Sequence, residues 1–167
     1  DIPGLDDPAR RILCATIGDV CVLNLYVPNG ESLLSDKYQY KLSWLEKVAD
    51  FIRQQLTKTP KMVLVGDFNI APEDIDVHDP KQWEGHIHVS PAERAAFKKI
   101  LALGFHDCVR EQFPDTKLYS WWDYRMNGFK RNLGLRIDHI LASKALKCIE
   151  CQIDKAPRAL ERPSDHT

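Results

Sequence analysis

The sequence of 167 residues contains 44% hydrophobic and 28% charged residues, which is the composition of one globular domain and excludes intrinsically disordered and collagen-like proteins. Its formal net charge of −1 argues against a protein that binds nucleic acid through bulk charge alone. No apolar run reaches the roughly 20 residues that cross a bilayer, so no membrane partner is expected. Five cysteines at irregular spacing favour a reducing compartment, and hence a cytoplasmic location.

Two β-rich segments near the start of the chain are joined by a two-residue turn. Residues 11–17 and 20–27 are rich in apolar and β-branched side chains, and Gly18-Asp19 lies between them. A Gly-Asp pair between two such segments is a strong hairpin signal. The sequence therefore predicts an antiparallel pair of strands.

A helix and a buried strand are predicted next. Ser35 is a suitable helix cap, and the apolar residues after it recur at spacings of three and four: Tyr38, Leu42, Leu45, Val48, Ile52 and Leu56. The short apolar run 62–65 ends at Gly66, which is typical of a strand buried on both faces. Asp67 and Asn69 would then lie just beyond the end of this strand.

The second half of the chain mixes one clear helix with less regular segments. Residues 90–93 read Ser-Pro-Ala-Glu, a capping box with proline at the first helical position, and the helix is predicted to end at Gly104. Residues 115–136 lack periodicity and are predicted to be a loop, whereas 137–143 and 147–153 alternate as strands do. Without a linker or a repeat, this order predicts a single α/β domain over 1–167 with largely antiparallel sheets.

The segment Gly66-Asp67-Phe68-Asn69 is the sharpest chemical signal. It places a carboxylate and a carboxamide two residues apart at the mouth of a predicted strand. Aspartate can act as a base toward water or as a ligand of a hard metal, and an asparagine amide can stabilise a developing oxyanion. The alternative is an Asx turn with no chemical role.

Two further acidic residues come later in the chain. Asp138 begins a predicted strand, and Asp165 is followed at once by His166. An aspartate can orient an imidazole and raise its pKa, so that the imidazolium binds a phosphoryl oxygen. Each of these residues taken alone is more typical of a turn or surface position, but together they indicate a phosphodiesterase site.

Several motifs also resemble a known family. LYVPNG with Tyr26, GDFN at 66–69, SWWDYR at 120–125, GLRIDHILAS at 134–143 and SDH at 164–166 occur in the order and rough spacing of the exonuclease III branch of the apurinic/apyrimidinic (AP) endonucleases. The resemblance spans nearly the whole chain. It implies a four-layer α/β sandwich of the deoxyribonuclease I type, with two mostly antiparallel sheets flanked by helices.

The resemblance also assigns roles to five positions: Tyr26, Asp67, Asn69, Asp138 and His166. It implies that Asp67 activates or orients the attacking water and that Asn69 stabilises the transition state. Asp138 would support both of these residues. His166, paired with Asp165, would polarise the scissile phosphate, with the hydroxyl of Tyr26 close to it.

A divalent cation is the cofactor that the resemblance implies. Mg²⁺ is expected, with Mn²⁺ as a substitute, and the matching ligands are Asp67, Asn69, Asp165 and His166. The family's amino-terminal strand, its QET motif with the principal metal-binding glutamate, and the strand after SDH have no counterpart in this sequence. The expectation is therefore a domain that lacks its amino-terminal portion and its last strand.

Residues 117–136 are expected to contact DNA. Five basic residues stand against Asp123, a local balance of 5 − 1 = +4 in a chain of net charge −1. Trp121, Leu135 and Ile137 could form an apolar slot for a sugar that has lost its base, as the family's pocket does. The alternative is that Trp121 and Trp122 are core aromatics, and it is preferred for Trp122. The full set of DNA-binding candidates is Arg11, Asn29, Trp121, Arg125, Leu135, Arg136 and Ile137.

The leading hypothesis is therefore an exonuclease III-like, Mg²⁺-dependent DNA-repair enzyme. Its partner would be duplex DNA with abasic sites or 3′ ends, and it would act as a monomer when complete, associated with the nucleoid if it is bacterial. Two alternatives stay open. One is a related phosphodiesterase of RNA, phosphoinositides or sphingolipids, and the other is a non-catalytic DNA-binding fragment.

Overall fold

The computed structural model describes residues 2, 5 and 7–167, which form a five-stranded sheet, a two-stranded ladder and flanking helices. The strands are β1 Ile12–Ile17, β2 Val20–Tyr26, β3 Met62–Asp67, β4 Phe105–Asp107, β5 Trp121–Trp122, β6 Gly134–Leu135 and β7 Asp138–Ser143. The α-helices are α1 Asp36–Leu56, α2 Pro80–Trp83, α3 Pro91–Ala102 and α4 Cys108–Gln112. Short 3₁₀ turns lie at Asp74–Asp76, Arg125–Asn127 and Pro157–Ala159. Of the helices in the described residues, none has the length and apolar character that a membrane span needs.

The predicted hairpin is confirmed and forms one edge of the main sheet. Strands β1 and β2 pair antiparallel from Ile12 opposite Leu25 to Ile17 opposite Val20. Gly18 supplies the left-handed conformation of the turn, with φ +63°.

The main sheet has the order β1-β2-β3-β7-β4 and is mixed. Strands β2 and β3 are parallel and are connected through α1, whereas β7 runs antiparallel to both β3 and β4. This topology brings the carboxyl ends of β2 and β3 next to the first residue of β7. Polar residues from three distant parts of the sequence therefore meet at one end of the sheet.

Both long helices begin where the sequence predicts. The side chain of Ser35 accepts a hydrogen bond from the backbone N–H of Tyr38 and caps α1. At α3, Ser90 and Glu93 form the reciprocal capping box, and Gly104, with φ +116°, follows the end of the helix. The apolar faces of the two helices cover one side of the sheet, with members of α1, α3, β2, β3, β4 and β7 in one core.

The opposite side of the sheet is only partly covered. Leu13 and Ile17 expose 67% and 68% of their surface, and Ile140 exposes 40%. The prediction that β3 is buried on both faces is wrong, because Val63 and Val65 on this side are only half-buried. The described residues therefore form an incomplete sheet with helices on one face, rather than two stacked sheets.

Two further segments differ from the sequence prediction. Residues 115–136 are not all loop, because β5 and β6 pair there and a 3₁₀ turn lies between them. Residues 147–153 do not form a strand. The side chain of Gln112 accepts from the N–H of Cys151 and donates to the sulfur of Cys148, while Ile149 is 91% exposed. Tertiary contacts thus override the local alternation.

A buried histidine makes the stability of this fold depend on pH. His139 donates from Nε2 to the carbonyl of Ile70 and faces the guanidinium of Arg136. Burial, and then the charge of Arg136, lower the pKa of His139 to about 4, against the opposing effects of Asp107 and Asp76. Between about pH 4 and pH 6.5, His139 is therefore protonated more often in the unfolded chain than in the folded chain.

We expect the free energy of unfolding to fall by roughly 2 kcal/mol for this one histidine as the pH is lowered from 7 to 5. The protonated imidazole is tolerated only in the unfolded state, so acid favours unfolding. Urea denaturation across this pH range measures the effect, with His139→Gln as the comparison. A pH dependence that His139→Gln leaves unchanged would contradict this assignment.

Candidate active site

The candidate site lies at the carboxyl ends of β2 and β3 and at the start of β7. In the register of the sheet, Tyr26 is paired with Asp67, and Asp67 is paired with Asp138. Directly paired residues project from the same face of a sheet. Three hydrogen-bonded strands thus hold one hydroxyl and two carboxylates in a single row.

Gly66 allows β2 and β3 to approach closely just before this row. Its φ is +115°, and a Cβ at this position would overlap the backbone oxygen of Leu25. Only glycine satisfies both conditions. The residue before Asp67 is therefore fixed by backbone packing rather than by chemistry.

The carboxylate of Asp67 is held by the loop that follows it. Oδ1 accepts from the backbone N–H of Asn69 at 2.8 Å, and Oδ2 accepts from Nδ2 of Asn69 at 3.1 Å. Burial, and then the like charge of Asp138, raise the pKa of Asp67 to about 6, although the N–H of Asn69 and the charge of His166 oppose this. Asp67 is therefore a stronger base than an ordinary carboxylate.

Asn69 is buried and adopts a left-handed backbone with φ +51°. Both of its amide hydrogens are used, because Nδ2 donates to Asp67 and to the carbonyl of Val27 at 2.9 Å. Its Oδ1 receives only a long contact of 3.4 Å from Nδ2 of Asn29. Asn69 therefore orients Asp67 directly through its N–H groups. Its side-chain oxygen, in contrast, accepts only this one long hydrogen bond.

His166 is bound to Asp138. Its Nδ1 lies 2.9 Å from Oδ2 of Asp138, which also accepts from the hydroxyl of Ser120 at 2.6 Å. Nε2 of His166 lies 4.0 Å from Oδ2 of Asp67. Burial alone would lower the pKa of His166, but the hydrogen bond and charge of Asp138, with the charges of Asp67 and Asp165, raise it. The site thus favours an imidazolium beside two carboxylates.

The predicted pairing of His166 with Asp165 is wrong. Oδ2 of Asp165 accepts from the indole Nε1 of Trp121 at 3.0 Å, and Trp121 forms a β-bridge with His166. Side chains of consecutive residues in an extended segment point to opposite sides. When His166 faces Asp138, its neighbour must therefore face away.

A candidate cation site follows from the same geometry. Ligand atoms of Asp67, Asp138 and His166 lie within 4.8 Å of one another. Two of the predicted ligands, Asp67 and His166, therefore lie close together beside Asp138, whereas Asp165 is held elsewhere by Trp121. The imidazolium form of His166 has no lone pair for a metal, so the carboxylates of Asp67 and Asp138 are the ligands that remain. Two close carboxylates repel each other, and a hard dication would relieve this repulsion, which suits magnesium.

A cavity of about 370 Å³ is lined in part by Trp121, whose backbone forms a β-bridge with His166. Trp121 and Trp83 meet in it edge to face at 6.5 Å between ring centroids. Its other lining residues are His78, Gln82, His86, Asp123, Arg125, Met126, Gly128 and Leu133. The indole of Trp121 also donates to Asp165, the neighbour of His166. The same side chain therefore lines the cavity and holds the segment that carries His166.

Three predicted DNA-binding residues lie inside the protein. Leu135 and Ile137 are 0% and 2% exposed and pack beneath Trp121, so they support the cavity but do not line it. Arg136 is 1% exposed, and its guanidinium is bound by Asp76 at 2.7 Å and by Asp107 at 2.8 Å. The prediction that Arg136 contacts DNA is wrong, because two internal carboxylates neutralise it.

Other predicted recognition residues do reach the surface near the site. The guanidinium of Arg11 lies 4.8 Å over the ring of Tyr26, which is 54% exposed. Asn29 is exposed and touches Asn69. Arg125 is also exposed, but it forms an ion pair with Asp123. As the sequence analysis preferred, Trp122 is a fully buried core residue.

Sequence reasoning missed the residues that support the site from below. Ser120 binds Asp138 and accepts the N–H groups of residues 137 and 138. Lys41 and Glu93 form a fully buried ion pair under Asn69. The capping box indicated a local role for Glu93, but no local pattern joins it to a lysine 52 residues away.

Comparison with known proteins decides the family. The profile of the endonuclease/exonuclease/phosphatase family matches residues 1–166. Exodeoxyribonuclease III of Haemophilus influenzae is 34% identical over 96% of this chain and 66% of its own length. The chain belongs to the exonuclease III and AP endonuclease branch of this family. It also matches DNA repair nuclease APEX1 of Danio rerio, at 32% identity over 96% of the chain and 51% of the relative.

Solved structures of this branch share the fold. The 3′-5′ exonuclease NExo of Neisseria meningitidis is 48% identical, with a TM-score of 0.95 over 99% of this chain and 66% of NExo. An AP endonuclease of Archaeoglobus fulgidus is 42% identical, with a TM-score of 0.90 over 98% of this chain and 66% of the relative. NExo has also been solved as a 3′ phosphatase bound to a product DNA hairpin. The chain spans at most 66% of the length of these relatives.

The contact between His166 and Asp138 predicts the titration of the imidazole. Asp138→Asn weakens the hydrogen bond and removes the charge that together raise the pKa of His166, so we expect this pKa to fall. Nuclear magnetic resonance (NMR) of the imidazole C–H groups measures it directly.

Asp165→Asn is the matched control. Asp165 bonds to Trp121 and acts on His166 only through its charge. Its replacement should therefore lower the pKa of His166 by less. A larger effect of Asp165→Asn than of Asp138→Asn would reverse the assignment of the partner.

Proposed function

We propose that the protein is a DNA-repair phosphodiesterase of the exonuclease III type, which hydrolyses duplex DNA at abasic sites and 3′ ends and depends on Mg²⁺. The observation that supports this most is the convergence of Asp67, Asp138 and His166, with ligand atoms within 4.8 Å, at the end of the family's sheet. Arg11, a candidate for phosphate binding, lies over the ring of Tyr26 in the same row. Five free cysteines support action in the reducing cytoplasm, on nucleoid DNA if the source is bacterial.

We also propose the four-layer sandwich for the complete domain. The chain covers 66% of the Haemophilus influenzae relative, and one face of its sheet exposes the side chains of Leu13, Ile17 and Ile140. A second sheet from the rest of the protein would cover this face. The complete protein would act as a monomer on its DNA.

In the proposed reaction, Asp67 receives the proton of the water that attacks the phosphorus. The bond between phosphorus and the 3′ oxygen breaks, and the departing 3′ oxygen takes up a proton from solvent. The position of Asp67 supports its role, because the carboxylate stands at the end of β3 beside Asp138 and His166, where it is in place to accept a proton from a bound water. Asn69 holds both oxygens of Asp67 and so directs the carboxylate toward the water. Asn69 could donate to the phosphate only by releasing one of its present acceptors.

Three other side chains, those of His166, Tyr26 and Arg11, would stabilise the negative charge that develops on the phosphate. His166 donates from Nδ1 to Asp138, which leaves Nε2 to donate to a phosphoryl oxygen when the imidazole is protonated. The Tyr26 hydroxyl lies in the same row, and Arg11 over its ring adds positive charge nearby. Asp138 acts through His166, to which it is hydrogen-bonded. Ser120 in turn donates to Asp138 and so orients its carboxylate.

A bound Mg²⁺ would supply further positive charge for the phosphate. Carboxylate oxygens of Asp67 and Asp138, which lie within 4.8 Å of each other, would hold such a hard cation. Asn69 turns its Nδ2 rather than its Oδ1 toward Asp67, so it supports this ligand instead of adding another. His166 fits less well, since its Nδ1 is already bonded to Asp138.

A preference for 3′ ends is a second candidate within the same chemistry. NExo, described as a 3′-5′ exonuclease and as a 3′ phosphatase, is 47–48% identical, while the Archaeoglobus fulgidus AP endonuclease is 42% identical. Relative rates on a 3′-phosphate duplex and an internal abasic duplex separate the two preferences.

Loss of Asp67 or His166 should remove chemistry rather than binding. In the full-length protein, we expect Asp67→Ala and His166→Ala to lower kcat by at least ~10²-fold with little change in DNA affinity, because both groups act in the transition state. Steady-state kinetics on both duplexes, with binding measured separately, test this. Asp115→Ala, an exposed carboxylate elsewhere, is the control, and weakened binding with retained kcat would contradict the roles.

Trp121 should discriminate between substrates. We expect Trp121→Ala to slow cleavage at abasic sites more than removal of a 3′-phosphate, because the indole forms a wall of the cavity that would receive the base-less sugar. Trp121→Phe keeps an aromatic wall but loses the N–H that binds Asp165, so it separates the cavity from the support of His166. Equal losses on both substrates would favour a purely structural role.

A further inference from the structure

A fully buried ammonium lies directly beneath the candidate site. Lys41, on α1, has 0% exposure, and its Nζ donates to the carbonyls of Asn69 at 2.7 Å and Asn29 at 3.1 Å. The third acceptor is the carboxylate of Glu93. All three donors of the ammonium are therefore used, and two of them hold loops that follow neighbouring strands of the sheet.

Glu93 ties the same point to α3. Its carboxylate is fully buried and accepts from the backbone N–H groups of His88 and Ser90 as well as from Lys41. The hydroxyl of Ser90 in turn lies 2.6 Å from the hydroxyl of Tyr38 on α1. Two helices and two loops thus meet at one ion pair.

The loops that this ion pair holds are the ones that carry Asn29 and Asn69. Their side chains touch at 3.4 Å, and Asn69 binds both oxygens of Asp67. Asn69 adopts φ +51°, a left-handed conformation that asparagine tolerates better than most residues, and contacts to its backbone support it further. Its carbonyl receives this support from Lys41 and from Nδ1 of His88, each at 2.7 Å.

A contribution to stability alone explains this arrangement poorly. Removing two charges from water costs several kcal/mol, and well-packed apolar residues often serve a core as well as a buried ion pair does. An ammonium differs from an apolar side chain in that it fixes several carbonyls in defined directions. The ion pair is therefore suited to setting the geometry of the loops.

We propose that Lys41 is a positioning residue, which fixes the backbone carbonyls of Asn29 and Asn69 and thereby holds the Asn69 side chain on Asp67. This inference rests on the proposed function for its kinetic consequence, but its structural consequence is independent of it. Without the ammonium, the carbonyl of Asn69 loses its strongest donor. The loop can then leave the left-handed conformation, and the amide of Asn69 moves away from Asp67.

The kinetic test is a double-mutant cycle in the full-length protein, assayed with Mg²⁺ on a duplex with a 3′-phosphate. We expect Lys41→Met to lower kcat at least ~10-fold while KM changes less than about 3-fold, because misplacement of catalytic groups acts mainly on the chemical step. If Lys41 acts through Asn69, the same change should cost less than about 2-fold in an Asn69→Ala background. Equal losses in both backgrounds would overturn the proposal.

Two controls separate positioning from loss of stability. Val48→Ala removes buried volume from the same helix without touching either loop, and it should lower the melting temperature with kcat within about 2-fold. If Lys41→Met does not fold because Glu93 is left unpaired, the double variant Lys41→Met/Glu93→Gln is used in its place. This double variant removes both buried charges, and it takes the position of Lys41→Met in the double-mutant cycle. A comparable kcat loss in Val48→Ala would show that stability alone is being measured.

An NMR measurement tests the positioning role of Lys41 without an activity assay. In NMR spectra, the side-chain amide of Asn69 should shift and its hydrogens should exchange with solvent faster in Lys41→Met than in the parent, while Val48→Ala leaves both unchanged. An unperturbed Asn69 amide in a folded Lys41 variant would overturn the proposal. A parent protein with no hydrolytic activity would refute the proposed function, and the NMR comparison would still test Lys41.

Discussion

The pairing of β3 with β2 on one side and β7 on the other is the constraint on which the site depends. Because the first pair is parallel and the second antiparallel, two strand ends and one strand start coincide. Tyr26, Asp67 and Asp138 are 112 residues apart in sequence at their extremes, yet they occupy one row across the sheet. Backbone hydrogen bonds fix the spacing of their Cα atoms, so no backbone rearrangement is needed to bring the three residues together.

Two buried charge networks flank this row and keep its surroundings rigid. On the helix side, Lys41 and Glu93 connect the loops to α1 and α3. On the other flank, Arg136 joins Asp76 and Asp107 and lies against His139. In a low-dielectric interior each network is costly unless all its partners are in place. The buried charged groups on both flanks of the site therefore make all these hydrogen bonds in the observed geometry, and any other geometry would leave some of them unpaired.

Local sequence patterns predicted the parts of the fold that depend on local physics. The hairpin at Gly18, the cap at Ser35 and the capping box at Ser90 each rest on contacts within a few residues, and each is confirmed. The position of Asp67 and Asn69 at the end of β3 follows from the same kind of pattern, although only one face of this strand is fully buried.

What the sequence could not predict depends on distant partners. The burial of Arg136 requires Asp76, which lies 60 residues away. The sequence predicts a pair between His166 and its neighbour Asp165, whereas the hydrogen bond of His166 goes to Asp138, 28 residues earlier on β7. The alternation at 147–153 failed for a related reason, since Gln112 of α4 binds the backbone there.

The uncovered face of the sheet is also the face on which the catalytic candidates lie. Val63, Val65 and Asp67 are every second residue of β3, so their side chains point to the same face of the sheet. The apolar surface and the carboxylate therefore share one side. Any layer that covers this surface displaces water from the neighbourhood of Asp67 and lowers the local dielectric constant there. The basicity of the carboxylate is thus a property of how the sheet is enclosed, and a change far from the reacting atoms can retune it.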